Sequence, residues 1–272
     1  MSIPPLAFCV VAAALYALGG RGRHRWRREA YFYLGIATMF VVLEPPFDNW
    51  ADTSFAMHMT QHVFLLTVVP PLLVLGRPWP RMWMPFPAEA RRAAARGLAL
   101  GRWSAPLRLA GRTLTRPPVA ILSLTATLVV WHLPYLYGAA VAHESIHLLE
   151  HTCFIAAALL FWGPLLDAPP VRARIDHLRR AGWFAAAAVP GWILAIVLAY
   201  ASHPLYPVYA SLSHRAFGLS ASADQALAAG IMWVPGSLAY LVAAILAFYR
   251  WLEPSAADAA ASEPRHEELS WT

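Results

Sequence analysis

The sequence has no lysine, few charged residues and only two cysteines, and each scarcity excludes a class of protein. All 21 basic residues are arginine, and charged residues make up 13% of the chain, roughly half the share found in a soluble domain. Cys9 and Cys153 lie far apart and form no CxxC motif, which excludes a disulfide framework and a zinc ribbon. The sequence also shows no glycine-rich phosphate loop and no clear internal repeat. The low share of charged residues favours a membrane protein.

Apolar residues dominate the chain in long runs. Of its 272 residues, 59% are hydrophobic, and the mean hydropathy is +0.48. A helix needs about 20 residues to cross a hydrocarbon core of ~30 Å. Seven runs meet this need, at about 4–20, 30–47, 55–76, 117–138, 143–166, 182–202 and 225–250. No basic residue precedes the first run, so we expect a span there and not a cleaved signal peptide. The sequence predicts an all-α, polytopic bundle of seven transmembrane helices.

The arginines predict how these helices are oriented. Twenty of the 21 lie in alternate connections, namely loop 21–28, segment 77–116, loop 167–181 and the C-terminal end, and Arg215 alone lies in the other set. Arginine-rich loops stay in the cytoplasm, so we expect the N-terminus outside and the C-terminus in the cytoplasm. The arginines that give the chain a pI of 9.7 are then explained by orientation in the membrane. No nucleic-acid partner is expected.

The chain is predicted to form one domain with a short tail. Residues 1–253 make up a single seven-span domain, which includes the cytoplasmic segment 77–116. Within that segment Ala88–Leu100 is rich in arginine and is predicted to be a helix on the membrane surface. Residues 254–272 are rich in alanine and acidic residues, which predicts a disordered cytoplasmic tail.

The histidines gather on the side opposite to the arginines. In this topology eight of the eleven lie outside or near outer helix ends, namely His58, His62, His132, His143, His147, His151, His203 and His214. Ionisable groups at membrane depth are costly unless they are paired or bind a ligand, and neutral imidazole is a common metal ligand. Residues four apart share a helix face. The pairs His58/His62, His143/His147 and His147/His151 therefore each present two imidazoles to one ion.

Other side chains near these helix ends extend the predicted metal set. Glu150 and Asp224 are predicted to orient imidazoles by accepting hydrogen bonds from them. Met57 and Met59 are each rotated by about 100° around the helix from His58, so they cannot both point in the direction of His58. Met232 lies two helical turns from Asp224. Thioethers combined with imidazoles favour Cu(I) over hard cations. An alternative is a set of histidines that hydrogen-bond within the protein, but three clusters on one side favour a metal or haem site.

Two further functions stay open on the residues alone. His143-Glu144-Ser-Ile-His147 matches the HExxH pattern of zinc metalloproteases, in which the histidines bind zinc and the glutamate acts as a general base. A metal-dependent intramembrane hydrolase is therefore one alternative. A bis-histidine haem protein is another, because histidines on facing helices can ligate iron axially.

Four ordered motifs carry a family resemblance that covers the second to the seventh run. They are His58-Met-Thr-Gln61-His62 leading into Val69-Pro70-Pro71 and Gly76, Trp131-His132-Leu-Pro134, His147-Leu-Leu-Glu150-His151 leading into Phe161-Trp162-Gly-Pro164, and Asp224-Gln225 leading into Gly230-Ile-Met232-Trp233-Val-Pro235-Gly236. Together they resemble the CtaG family, the seven-span cytochrome c oxidase assembly factors linked to caa-type oxidases.

The resemblance implies a non-enzymatic, multi-pass protein of the bacterial plasma membrane that matures haem–copper oxidase by delivering copper, expected as Cu(I). It implies that five histidines are functional, namely His58, His62, His132, His147 and His151. The full predicted metal set adds His143, Glu150, Asp224 and Met232. The expected partners are oxidase subunits and other copper chaperones within a lipid bilayer, and a homo-oligomer stays open.

Overall fold

The computed structural model describes residues 3–20, 25–167 and 175–253. Its α-helices, numbered α1 to α13 along the chain, are Ile3–Leu18, Trp26–Leu43, Phe47–Thr53, Phe55–Gly76, Pro78–Met82, Ala88–Leu100, Ala105–Leu114, Pro117–Trp131, Pro134–Ala142, Glu144–Leu165, His177–Tyr200, Pro207–Ala210 and Ala221–Leu252. Within the described ranges there is no strand, which confirms the all-α prediction. The predicted disordered tail, residues 254–272, lies outside these ranges.

The membrane spans are confirmed in part. Four helices, α4, α10, α11 and α13, are long and apolar enough to cross a membrane. Two more candidates are bent pairs, α2 with α3 at 45° and α7 with α8 at 81°. Helix α1 is apolar but shorter than a full span. The described residues thus fit a membrane protein with four to six candidate spans, whereas the seventh span and the orientation of the termini stay predictions.

The segment 77–116 is helical where the sequence predicts it. Helix α6 has the predicted bounds, Ala88–Leu100, and α7 follows it at Ala105–Leu114. Neither helix buries a residue in the bundle. Their exposed surfaces suit the predicted position at a membrane surface, which stays a prediction.

Helix α4 contains two prolines and is held by a hydrogen bond from α10. Pro70 has no backbone N–H, so the carbonyl of Leu66, four residues earlier, has no α-helical donor. The Trp162 indole Nε1–H on α10 donates to this carbonyl at 2.9 Å. Next to it, the Val69 N–H donates to the Phe64 carbonyl, which closes a π-helical stretch at Phe64–Val68. The prolines thus create an acceptor that fastens α4 to α10.

Asp224 fastens α13 to the beginning of α4. Its Oδ1 accepts hydrogen bonds from Ser54 Oγ at 2.8 Å and from the Ala56 N–H at 3.0 Å, and its Oδ2 accepts one from the Phe55 N–H at 2.8 Å. The first N–H groups of a helix have no partner within it and attract a carboxylate. Asp224 is only 1% exposed. It therefore sets the position of the α4 first turn, which carries His58.

Ion pairs lie beyond the C-terminal ends of α4 and α10. Beyond the C-terminal end of α4, Arg81 Nη1 lies 2.8 Å from Glu29 Oε1. Beyond the C-terminal end of α10, Arg180 Nη1 lies 2.5 Å from Asp167 Oδ2. The histidines of α4 and α10 lie instead near the N-terminal ends. The structure thus separates arginines and histidines along the helices, as the sequence predicts.

We expect Asp224→Asn to lower the free energy of unfolding by about 1–3 kcal/mol, because an amide cannot accept all the bonds of a carboxylate and leaves a buried donor unpaired. Asp52→Asn, at an exposed position of α3, is the matched control and should change little. Denaturant unfolding of the purified protein measures both variants. Unchanged stability together with loss of bound metal would show instead that Asp224 acts at the metal centre.

Candidate metal centre

Three helices bring five predicted histidines together. His58 and His62 lie one turn apart on α4, His147 and His151 lie one turn apart on α10, and His132 directly follows α8. The ring centroids are 4.5 Å apart for His58 and His62, 4.2 Å for His147 and His151, and 4.9 Å for His58 and His147. The i,i+4 pairs of α4 and α10 therefore face one another.

The tightest group consists of His58, His62, Glu150 and His151, here called the quartet. One possible ligand atom from each residue lies within 4.8 Å of those of the other three. Glu150 Oε1 is 3.6 Å from His62 Nε2, and Glu150 Oε2 is 3.8 Å from His58 Nε2. All four residues are buried. Glu150, predicted to orient an imidazole, thus lies among the possible ligands themselves.

Tyr209 decides which nitrogen of His58 faces the quartet. Its hydroxyl donates to the Ala51 carbonyl at 2.8 Å and lies 2.8 Å from His58 Nδ1. Burial raises the pKa of Tyr209 well above its ordinary value, so the hydroxyl keeps its hydrogen. His58 Nδ1 must then be the donor to the hydroxyl oxygen, which leaves a lone pair on Nε2 of the neutral ring. A metal-binding histidine is oriented by this type of hydrogen bond.

Six polar atoms of the quartet lack a hydrogen-bond partner in the described part of the chain. Among the described residues none is available to either nitrogen of His62, either oxygen of Glu150, His58 Nε2 or His151 Nε2. A buried polar group left without a partner costs about 1–3 kcal/mol. A cation would satisfy the lone pairs of these atoms, one on each neutral imidazole, because imidazoles suit zinc, copper, iron and nickel. The donors of the quartet therefore fit a metal ion.

An open pocket of about 400 Å³ reaches the quartet. Its lining includes His147 and His151 together with the acidic residues Asp48, Asp52 and Glu144. His147 Nε2 is buried and has no hydrogen-bond partner in the described structure. Carboxylates around an opening raise the local concentration of cations. The pocket therefore provides a route by which a cation can reach the histidines of α10.

His132 lies beside the quartet and not within it. Its Nδ1 is 2.7 Å from the Leu128 carbonyl oxygen, and its Nε2 is 3.3 Å from Met59 Sδ. Its ring centroid is 5.8 Å from that of His62. Both nitrogens of His132 thus have neighbours outside the quartet, and the structure places this histidine apart from the other ligands.

Three other predicted site residues also lie away from the quartet. Asp224 caps α4, as described above, and Met232 lines a small cavity that touches the quartet only at His62. His143 is exposed and precedes α10 with an extended backbone. The HExxH arrangement needs both histidines on one helix face, so His143 does not form that arrangement with His147. The nine predicted residues therefore do not surround one point.

Tyr209 is a site residue that the sequence analysis did not identify. It lies on the short helix α12, Pro207–Ala210, in the connection between α11 and α13. Such a connection has no helical periodicity that would indicate its direction. The available signal in the sequence was a tyrosine in a connection predicted to lie at the same end of the bundle as the histidines. It was insufficient because the contact with His58 depends on how this loop folds across α4.

The apolar helices and the buried histidine–glutamate cluster define a polytopic helical protein with a candidate metal centre. A family model described as cytochrome c oxidase caa3 assembly factor (Caa3_CtaG) matches residues 8–254, nearly the whole chain. The chain belongs to this family, which confirms the resemblance found in its motifs. No curated protein matches the chain, and no solved structure does.

We expect Tyr209→Phe to weaken metal binding at the quartet by roughly 10-fold or more, because groups that orient a ligating histidine contribute about 10–100-fold in affinity. Calorimetric titration of the purified protein with Zn²⁺, a redox-inert probe, measures this change. Tyr206→Phe is the control, since it removes a hydroxyl that donates to the His132 backbone carbonyl at 2.9 Å. Equal losses in both variants would assign the effect to general packing.

Proposed function

We propose that this oxidase assembly factor binds copper at the quartet and hands it to the maturing oxidase. The observation that carries the proposal is the set of buried, unpartnered donor atoms on His58, His62, Glu150 and His151. Membership in a cytochrome c oxidase assembly family makes copper the relevant metal, because the oxidase is a haem–copper enzyme. Copper is here a cargo and not a resident cofactor.

The chemistry of the quartet suits a donor of copper better than a store. Three imidazoles and one carboxylate bind copper without a thiolate, and neither Cys9 nor Cys153 belongs to the group. Release of the ion requires ligands that exchange, and neutral imidazole exchanges with protons and with other ligands. The acid-lined pocket beside His147 is the proposed route of entry and exit. The proposed recipients and suppliers are oxidase subunits and other copper chaperones.

We infer that the pocket and the quartet lie on the outer side of the bacterial plasma membrane. The inference rests on arginines gathered at the ends of α4 and α10 remote from the histidines and on the positive-inside rule. In this topology the seven helical runs cross the membrane with the N-terminus outside. Copper would then be taken up and released outside the cytoplasm.

Neither alternative function has a supporting observation in the geometry. The HExxH residues His143 and Glu144 are exposed, and His143 lies outside the helix that carries His147. For haem, a porphyrin would need space between two ligating imidazoles. The rings of His58, His62, His147 and His151 instead contact each other, with adjacent centroids 4.2–4.9 Å apart. We therefore infer a non-enzymatic role in assembly.

Reporter fusions test the proposed topology. A reporter fused after Trp251 should be active in the cytoplasm, and one fused near Ser211 should be active outside, because arginine-rich connections are retained inside. An alkaline phosphatase and a fluorescent protein report the two compartments. Reversed activity at both positions would move the quartet to the cytoplasmic side and contradict delivery from outside.

We expect His62→Ala and His151→Ala to lower oxidase activity by about tenfold or more in cells, while the oxidase polypeptides are still made, because each variant removes a ligand of a four-membered site. Added copper should restore activity in part by mass action. Oxidase activity, haem spectra and immunoblots of the subunits measure these effects.

Two controls distinguish copper delivery from the hydrolase alternative. His143→Ala alters an exposed residue outside both the quartet and the pocket lining and should leave oxidase activity near that of the unaltered protein. Glu144→Gln removes one carboxylate of the pocket and should lower oxidase activity less than either quartet variant does. Loss of activity in Glu144→Gln with metal retained, and tolerance of His62→Ala, would instead favour metal-dependent hydrolysis.

A further inference from the structure

A second pair of metal-binding groups lies beside the quartet. His132 Nδ1 is 2.7 Å from the Leu128 carbonyl oxygen, which is an acceptor only, so Nδ1 must carry the hydrogen of the neutral ring. His132 Nε2 then has a lone pair, and this nitrogen lies 3.3 Å from Met59 Sδ. A thioether sulfur has no hydrogen to donate. Two electron-pair donors therefore face each other without a hydrogen between them.

This pair lies at the wall of a small cavity that is partly open. Met59 is 0% exposed and His132 is 5% exposed. Both line a cavity of about 50 Å³, to which Met232 contributes a second thioether. The Tyr206 hydroxyl donates to the His132 backbone carbonyl at 2.9 Å and holds this histidine in place. The two donors are thus fixed by the fold before any ligand arrives.

We propose that Met59 and His132 form a second metal site, selective for a soft monovalent cation such as Cu(I) or Ag(I). Thioether and imidazole ligands together select Cu(I) over hard divalent ions. No aspartate or glutamate is among the described residues that line the cavity, so a single positive charge is less costly to bury there than a double one. The identification of Cu(I) as the natural ion rests on the proposed function, whereas the preference for soft cations rests on these contacts.

His62 connects the two sites. It belongs to the quartet and also lines the cavity that contains Met59 and His132. Neither of its ring nitrogens has a hydrogen-bond partner among the described residues. An ion leaving the carboxylate of Glu150 can therefore meet an imidazole first and a thioether next. The quartet accepts cations of several types, and the second site adds selection for the soft one.

Silver binding tests the proposal without redox chemistry. The full chain is purified with Cys9→Ala and Cys153→Ala, because free thiols also bind Ag(I). We expect about two Ag(I) per chain, with a sulfur neighbour visible by silver X-ray absorption. Met59→Leu, which conserves side-chain volume, should leave about one Ag(I) and remove most of the sulfur signal. Zn²⁺ binding at the quartet should be retained in this variant.

Met57→Leu is the matched control, since Met57 is on the same helix, is partly exposed and does not line the cavity. It should keep about two Ag(I) and the sulfur signal. A protein without silver–sulfur contacts, or Met59→Leu with unchanged stoichiometry and signal, would overturn the second site. One sulfur-bound Ag(I) that is lost in Met59→Leu and unaffected by Glu150→Gln would support the second site and contradict the quartet.

Discussion

Inside a bilayer no water is available to hydrogen-bond, so every polar group in this bundle must find its partner in the protein. The carbonyl of Leu66, freed by a proline, receives the indole hydrogen of Trp162. Gln225 donates to the Leu198 carbonyl at 3.0 Å and accepts from the Leu205 N–H at 2.7 Å. Each of these bonds joins different elements of the fold. The mutual positions of the long helices therefore depend on satisfying polar groups as well as on apolar packing.

The quartet departs from this constraint. Glu150 is 0% exposed, yet neither of its oxygens has a hydrogen-bond partner in the described structure. Charging such a carboxylate in an apolar interior is expensive unless an opposite charge lies beside it. The surrounding imidazoles reach it only at 3.6 and 3.8 Å. Elsewhere the bundle pairs a proline-freed carbonyl and a helix N-terminus with dedicated side chains. At the quartet several donor atoms lie together without partners among the described residues, and a bound cation would satisfy their lone pairs.

Much of the fold could be predicted because it depends on local properties of the chain. Hydropathy located the long helices, and the helix Ala88–Leu100 has the predicted bounds. The i,i+4 spacing also placed His58 with His62 and His147 with His151 on common faces. These features follow from helix geometry. They needed no knowledge of which helices are neighbours.

The sequence could not predict which of the expected site residues form the quartet and which lie apart from it, because this depends on contacts between distant parts of the chain. Asp224 caps a helix whose Ser54 lies 170 residues away in sequence. Tyr209 and His58 are separated by 151 residues. His132 lies beside Met59 across a separation of 73 residues, although the sequence predicted that it would join the other histidines. Sequence patterns indicate the helix face on which a residue lies and its expected depth in the membrane. These pairings depend instead on tertiary contacts, which such patterns do not show.

The separation of His132 from the quartet changes how ion transfer is understood. A single site with a full set of histidine ligands would hold copper strongly, and strong binding opposes release. The quartet and the proposed second site share the region of His62 and would permit stepwise exchange of ligands. The first contains a carboxylate and the second a thioether, so they differ in the charge and the softness of the ion they prefer. The proposed arrangement would lower the barrier to transfer, because an ion that changes its partners one at a time never needs to lose all of them at once.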